Sequence, residues 1–346
     1  MDVLCFGAGA IGTYVGGSLT LAGHQAVFLE RPDVASELRQ RGLHLNLAEQ
    51  EHLISSPQVA SSIEEALSRR HYDVGLFALK SFDTQAALEN LRSHKDLLPP
   101  ILCLQNGVEN EAALAAVLGP EKVIAGVVTS AVARRQAGDI ILERARGIGV
   151  AAGHPLSTSL VAILNQSGLN ARLYRNAADM KWSKMVTNLL ANASSAILDM
   201  TPAEIFAHPG LYKLEVIQLR EAFKVMEAQD IHVTNLPSTP VRILASITCR
   251  LPLWLSRHLL GRAVGSGRGG KMPSFHIDLH SGRGKTEVDF LNGAVVRYGG
   301  RLGIPTPINQ LFNETLLALT NGQLPRMAFA HQPNKLLEKS GYLITP

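Results

Sequence analysis

The feature that most narrows what this chain can fold into is a six-residue stretch near its start, Gly7-Ala8-Gly9-Ala10-Ile11-Gly12. It follows the apolar run Val3-Leu4-Cys5-Phe6 and opens onto Thr13 to Leu21, which reads as a helix. Elsewhere the same glycine spacing is an ordinary turn; between a strand and a helix it becomes a dinucleotide site. Gly7 permits the tight turn, Gly9 lets the backbone approach a pyrophosphate, and Gly12 allows close packing of helix on strand. Amides of the first helical turn, Ala10 and Ile11 among them, then face the phosphates, and the helix dipole favours their charge.

Short apolar runs continue to alternate with helical patterns, which argues for βαβ units and a parallel sheet. Ala26 to Leu29, Val74 to Ala78, Ile101 to Leu104 and Val123 to Val127 read as strands. Ile140 to Leu142 and Ile148 to Ala151 read as two more, paired antiparallel with each other. From Ala177 onward long helical patterns replace strand signals. A chain of 346 residues is long enough for two domains. The expected fold is α/β: an N-terminal Rossmann-type dinucleotide-binding domain over residues 1–175, then a mostly α-helical domain over 176–346.

Composition trims the function classes. The net charge is +4, but Lys and Arg are dispersed, with no basic stripe interleaved with aromatics. That fits an anionic small molecule better than nucleic acid. Cys5, Cys103 and Cys249 form no CxxC or metal spacing, and the first two sit inside apolar strand runs, so buried inert thiols in a reducing compartment are expected. The N-terminus carries no basic leader region, which points to a cytoplasmic protein. Val241 to Ala263 is apolar, but Arg242, Arg250, Arg257, His258, Arg262 and Pro252 interrupt it. It lacks the roughly 18 uninterrupted apolar residues of a spanning helix, so a peripheral hairpin or a lid is the better reading. Gly265 to Gly270 reads as a mobile connection.

Strand two ends at Leu29-Glu30-Arg31-Pro32. An acidic residue here hydrogen-bonds the ribose hydroxyls of NAD, whereas an arginine pairs with the 2′-phosphate of NADP. The chain offers both, side by side, and sequence physics leaves the choice open.

Lys184, Asn188 and Asn192 recur every four residues in Lys181-Trp182-Ser183-Lys184-Met185-Val186-Thr187-Asn188-Leu189-Leu190-Ala191-Asn192, which places them on one helix face. Asparagine is a poor helix former, so two on one stripe of an apolar helix imply a polar groove with something in it. The bland alternative is a surface lysine, with asparagines that satisfy neighbouring loops. A buried lysine suits carbonyl reduction: its ammonium polarises the oxygen and protonates it as hydride arrives, and desolvation lowers its pKa toward the working range.

A third segment runs from Ser274-Phe275-His276-Ile277-Asp278 to Thr286-Glu287-Val288-Asp289-Phe290-Leu291-Asn292-Gly293. Thr286 to Val296 reads as a helix with Glu287 near its start, where an acidic residue also simply complements the dipole. Asp278 and Asp289 read as caps or ion-pair members. No spacing here reads as a metal site, and no GxSxG elbow supports a serine hydrolase.

Taken together these motifs resemble the ketopantoate reductase (2-dehydropantoate 2-reductase) family over nearly the whole chain. The resemblance is carried by GAGAIG, Leu79-Lys80-Ser81, Gln105 to Asn110 (QNGVEN), WSKMVTNLLAN, PSFHID, TEVDFLNG and the stretch from Gly303 to Asn309. It implies a Rossmann domain followed by a helical domain, and reduction of a small 2-keto acid with NADPH for pantothenate and coenzyme A synthesis. By the same resemblance Lys184 is the general acid, Glu287 holds the substrate hydroxyl, and Ser274 contacts its carboxylate. Asn188 and Asn192 line the substrate side, Asn106 lies beside nicotinamide and substrate, and Arg31 and Lys80 serve the cofactor. The loop between Asp278 and Glu287 and the region from Val233 to Met272 are longer than the family pattern, and by the resemblance both lie near where the substrate sits. A related 2-hydroxy acid dehydrogenase, with Glu30 favouring NAD, and a non-catalytic dinucleotide sensor are the alternatives. The expected partner is a small 2-keto acid, without nucleic acid or a membrane span, and a homodimer is one candidate assembly.

Overall fold

A computed structural model describes residues 1–268, 271–282 and 284–341, apart from the side chains of 262–268. The chain divides into two compact units, one of residues 1–181 with 235–239, the other of residues 182–234 with 240–346.

The first unit is built on twelve strands: β1 (Asp2–Phe6), β2 (Gln25–Leu29), β3 (Leu43–Leu47), β4 (Gln50–Ile54), β5 (Gln58–Ala60), β6 (Val74–Phe77), β7 (Ile101–Cys103), β8 (Val123–Val128), β9 (Ala131–Gln136), β10 (Asp139–Arg144), β11 (Ile148–Ala151) and β12 (Ala171–Tyr174). Eight form one sheet in the order β12-β11-β8-β7-β6-β1-β2-β5. From β5 to β8 every pairing is parallel; β11 runs antiparallel to β8, and β12 is parallel to β11. β1 lies inside the sheet between β6 and β2, and its uninterrupted apolar run is the signature of a strand covered on both faces. Val3 and Cys5 join one buried cluster with Val15 and Phe28, while Leu4 and Phe6 join another with Val27 and Phe77. Burial pushes the thiols of Cys5 and Cys103 far up, so both are inert at neutral pH.

The second sheet, β4-β3-β10-β9, departs from expectation. β10, which contains Ile140 to Leu142, pairs with β9 and β3, not with β11. The antiparallel partner of β11 is β8. Both segments are apolar enough to be strands, but an apolar run carries no information about which strand it pairs with.

The second unit is helical, as expected. Its helices include Asn192–Leu198, Pro209–Glu227, Val241–Arg250, Leu253–Arg268, Ser274–His280, Val288–Leu302 and Pro307–Thr320. The apolar stretch around Trp254 is two helices separated at Leu251-Pro252, and no helix among the described residues is long and apolar enough to cross a membrane. Gly265 to Arg268 end the second of those helices and are not a loose connection; Gly269 and Gly270 lie outside the described residues, as does Arg283. Glycine tolerates helix at a modest propensity cost, so its presence alone does not end one.

A buried polar network organises this unit. Glu221 accepts from the amides of Ile308 and Asn309 at 2.9 Å each, capping the helix Pro307–Thr320. Asn309 in turn donates to Glu221 at 2.7 Å and accepts from Asn292 at 3.0 Å. The stretch from Gly303 to Asn309 is thus structural, ending one helix and starting the next.

Candidate active site

In the first unit the pieces gather at the carboxyl ends of the parallel strands, where open α/β sheets bind ligands. The chain leaves β1 at Gly7, whose φ of +94° suits only glycine, and the helix Ala10–Leu21 begins at Gly9. A Cβ on Gly12 would stand 2.0 Å from the Gly7 carbonyl oxygen, so close helix-on-turn packing excludes any side chain there. A Cβ on Gly9 would meet nothing within 4 Å, leaving that backbone open to a ligand.

Glu30, at the end of β2, turns inward. Its carboxylate accepts from the Ala8 amide at 2.6 Å and from the Arg31 amide at 3.3 Å. Arg31 next to it is largely exposed, with 77% of its side chain accessible, and pairs loosely with Asp33 at 3.6 Å.

Beyond β6 and β7 two short segments are bound together. Gln105 donates to the Leu79 carbonyl at 3.0 Å and to Thr84 at 2.8 Å. The Asn106 carbonyl accepts from Ser81 at 2.9 Å and from Asn110 at 2.6 Å. Lys80 and Asn106, both half-buried, are therefore held on adjacent strand ends.

A residue that sequence reasoning passed over anchors this loop from below. Lys181 is buried, and its ammonium donates to the Gln105 carbonyl at 2.8 Å and pairs with Glu111 at 2.7 Å. Burial is the largest influence and pulls its pKa down, but Glu111 and Cys103 act together against it and the net direction is up. The fully buried lysine of the Lys181-to-Asn192 segment is thus Lys181, held charged; Lys184 is half-buried. A Lys three residues before a Lys on a helix was the available signal, but no pattern named Glu111 as its partner.

In the second unit the helix carrying Lys184 and Asn188 ends at Leu189, and Ala191 adopts left-handed backbone with φ +51°. Asn192 opens the next helix, so the three residues do not lie on one continuous helical face as expected. The cause is Glu215, a buried carboxylate that accepts from the Ala191 amide at 2.7 Å and the Ser194 hydroxyl at 2.6 Å. It rewards the break with charge-assisted hydrogen bonds that a continuing helix would forgo.

The break brings Asn192 to the third segment. Its amide donates to the Asn188 carbonyl at 3.0 Å and contacts the Ser274 hydroxyl at 3.2 Å, while its oxygen accepts from the Phe275 amide at 3.0 Å. Asn188, Asn192 and Ser274 are brought together, with Ser274 exposed and Asn192 buried as their link. Glu287 is buried at the start of the helix Val288–Leu302, two residues later than the helix was expected to begin. Asp289 is structural, paired with Arg297 at 3.0 Å.

A largely parallel sheet with a glycine turn at the end of its first strand, followed by a helical unit, defines the class: a dinucleotide-binding oxidoreductase fold. The family follows from comparison. The model of ketopantoate reductase PanE/ApbA matches residues 3–152, and that of the ketopantoate reductase PanE/ApbA C terminal matches residues 176–320. The chain belongs to the ketopantoate reductase family. It is 26% identical to the 2-dehydropantoate 2-reductase of Pyrococcus horikoshii over 318 residues, 90% of this chain and 95% of that one. To its counterpart from Archaeoglobus fulgidus it is also 26% identical, over 92% of this chain and 97% of the other. A crystal structure of a PanE/ApbA family ketopantoate reductase from Ralstonia eutropha superposes with a TM-score of 0.78 at 26% identity, covering 93% of this chain and 99% of that one. D-mandelate dehydrogenase, solved with NADH and anilino(oxo)acetate, shares the fold with a TM-score of 0.76 at 22% identity, over 93% of this chain and 99% of that one. The chain is accordingly an oxidoreductase of the 2-dehydropantoate 2-reductase family.

Proposed function

We propose that this protein reduces 2-dehydropantoate to pantoate with NADPH, in the cytoplasm, as a step toward pantothenate and coenzyme A. Residues 1–175 serve the cofactor and residues 176–346 carry the catalytic groups. The observation that favours NADPH is the commitment of Glu30 to the Ala8 amide, which leaves Arg31 as the exposed charge at the end of β2. Its planar fork suits a ribose 2′-phosphate. The open backbone at Gly9 and the first-turn amides of Ala10, Ile11 and Gly12, beyond Gly7, fit a pyrophosphate.

When bound, the nicotinamide supplies the hydride. Lys184 polarises the keto oxygen and delivers a proton to it as general acid. Glu287 accepts from a substrate hydroxyl remote from the reacting carbon. Ser274, set by Asn192, donates to the substrate carboxylate, and Asn188 completes the polar surface beside Lys184. Asn106 orients the carbonyl, and Lys80 meets the cofactor's charge.

Lys184→Ala should lower kcat by orders of magnitude and leave NADPH binding, read by fluorescence titration, nearly intact. Near-normal turnover in that variant would end the assignment. Glu287→Ala tests the substrate: kcat/KM for 2-dehydropantoate should fall by about 100-fold or more, while a keto acid lacking the distal hydroxyl should be little affected. Equal losses on both would favour a reductase of another 2-keto acid. Measuring each substrate with NADPH and NADH resolves Arg31 against Glu30.

A further inference from the structure

Beside the residues assigned to the substrate, the helical unit gathers three imidazoles around one carboxylate. His276 and His280, one turn apart on the helix Ser274–His280, have ring centroids 4.2 Å apart. His276 Nε2 lies 2.7 Å from Asp199 Oδ1, and His331 Nε2 lies 3.8 Å from Asp199 Oδ2. One ligand atom from each of Asp199, His276 and His280 falls within 4.8 Å of the other two.

The four residues come from three separate places in the chain: Asp199 caps the helix Asn192–Leu198, the two histidines share a helix, and His331 sits in a later loop. That loop is pinned to the cluster, since the His331 amide donates to the Leu198 carbonyl at 2.7 Å. Asp199 and His331 both hold left-handed backbone, with φ of +51° and +52°. Such conformations cost energy in non-glycine residues and persist where surrounding structure enforces them.

A hydrogen bond accounts for Asp199 and His276 alone. It does not explain why two further imidazoles converge on the same carboxylate, where protonated rings would repel one another. Two histidines at i and i+4 on one helix face, with a carboxylate opposite, form a familiar transition-metal donor set. Bonds of about 2.0–2.2 Å to nitrogen and oxygen place tetrahedral ligand atoms roughly 3.4 Å apart, a spacing these side chains bracket. Glu204 adds a second carboxylate charge beside Asp199 and His331.

We propose that Asp199, His276 and His280 form a site for a divalent transition metal of the zinc class, with solvent completing the coordination. The ion would join the end of the helix Asn192–Leu198 to the end of Ser274–His280. Asn192 already joins the beginnings of those two helices through Ser274 and Phe275. Metal would therefore fasten at both ends the pair of helices that present Ser274.

The test is calorimetric titration of ZnCl2 into the untagged, EDTA-treated full chain, with Co2+ absorption as a probe of coordination. The expected result is one equivalent bound per chain, with the intense visible bands of four-coordinate Co2+. His280→Ala, an exposed position, should weaken Zn2+ binding by about tenfold or more, since even an outer partner is worth that much. Asp199→Asn should weaken it likewise, and Cys249→Ser, which removes the exposed thiol, should not. Absence of stoichiometric uptake, or undiminished affinity in His280→Ala whose circular dichroism matches the parent, would overturn the proposal.

Discussion

The turn after β1 and the break at Ala191 place the chain in the same left-handed region of backbone space by different means. At the first, Gly7 reaches φ +94° without steric cost because it has no Cβ. At the second, Ala191 adopts φ +51° against a penalty of about 1 kcal/mol. What holds it there is the carboxylate of Glu215, 24 residues further along and buried. The conformation of Gly7 is therefore open to that residue without help, although the adjoining Ala8 amide also donates to Glu30, 22 residues further on. The second exists only once the helix Pro209–Glu227 has packed against the segment it bends. The proposed cofactor side and substrate side thus differ in how far their geometry depends on remote contacts.

That contrast can be broken by substitution, and the largest effect is expected at the local turn. Gly12→Ala drives a methyl into the Gly7 carbonyl, 2.0 Å away, and backbone cannot yield as a side chain tip does. A loss of about 3 kcal/mol or more is expected, with NADPH binding abolished; a denaturant titration and a fluorescence titration would show both. An unaltered midpoint would mean the turn is softer than its packing implies.

Next comes Glu215→Ala, which strips the Ala191 amide and the Ser194 hydroxyl of their acceptor. The expected cost is about 2–3 kcal/mol. If the break depends on this contact, kcat/KM should also fall, because Asn192 loses its place beside Ser274. Unfolding midpoints and steady-state kinetics on the same preparation would separate stability from positioning.

The smallest effect is expected for Ala191→Gly, a gain of up to about 1 kcal/mol as the strained backbone relaxes. In that background the loss from Glu215→Ala should shrink, since glycine needs less help to hold the turn. A double-mutant cycle measures the difference, and additive effects would show that Glu215 and Ala191 are not coupled.

Much of the first unit was legible because its signals are short-range. β1, β2, β6, β7 and β8 are buried apolar runs bounded by turn residues, and the parallel sheet they imply is the one formed. The strand β10 was visible too, but its partners β3 and β9 were not, since an apolar run marks a strand without naming its neighbour. On the helical side, periodicity carried Lys184, Asn188 and Asn192 along one unbroken face. It had no means of registering a carboxylate at position 215. The same blindness hid Glu111 beneath Lys181 and Asp199 beside His276.

Sequence alone was enough for the glycine turn, the class of the fold and the family, because these rest on residue types at fixed short spacings. Only tertiary structure decided that Glu30 faces the Ala8 amide while Arg31 faces water, that Lys181 and not Lys184 is the fully buried lysine, and that Asn192 begins a new helix linked to Ser274. The physical reason is common to all three. Each is set by a buried charge or amide whose hydrogen-bond partner is remote in the chain, and the need to satisfy such groups becomes specific only when packing excludes water.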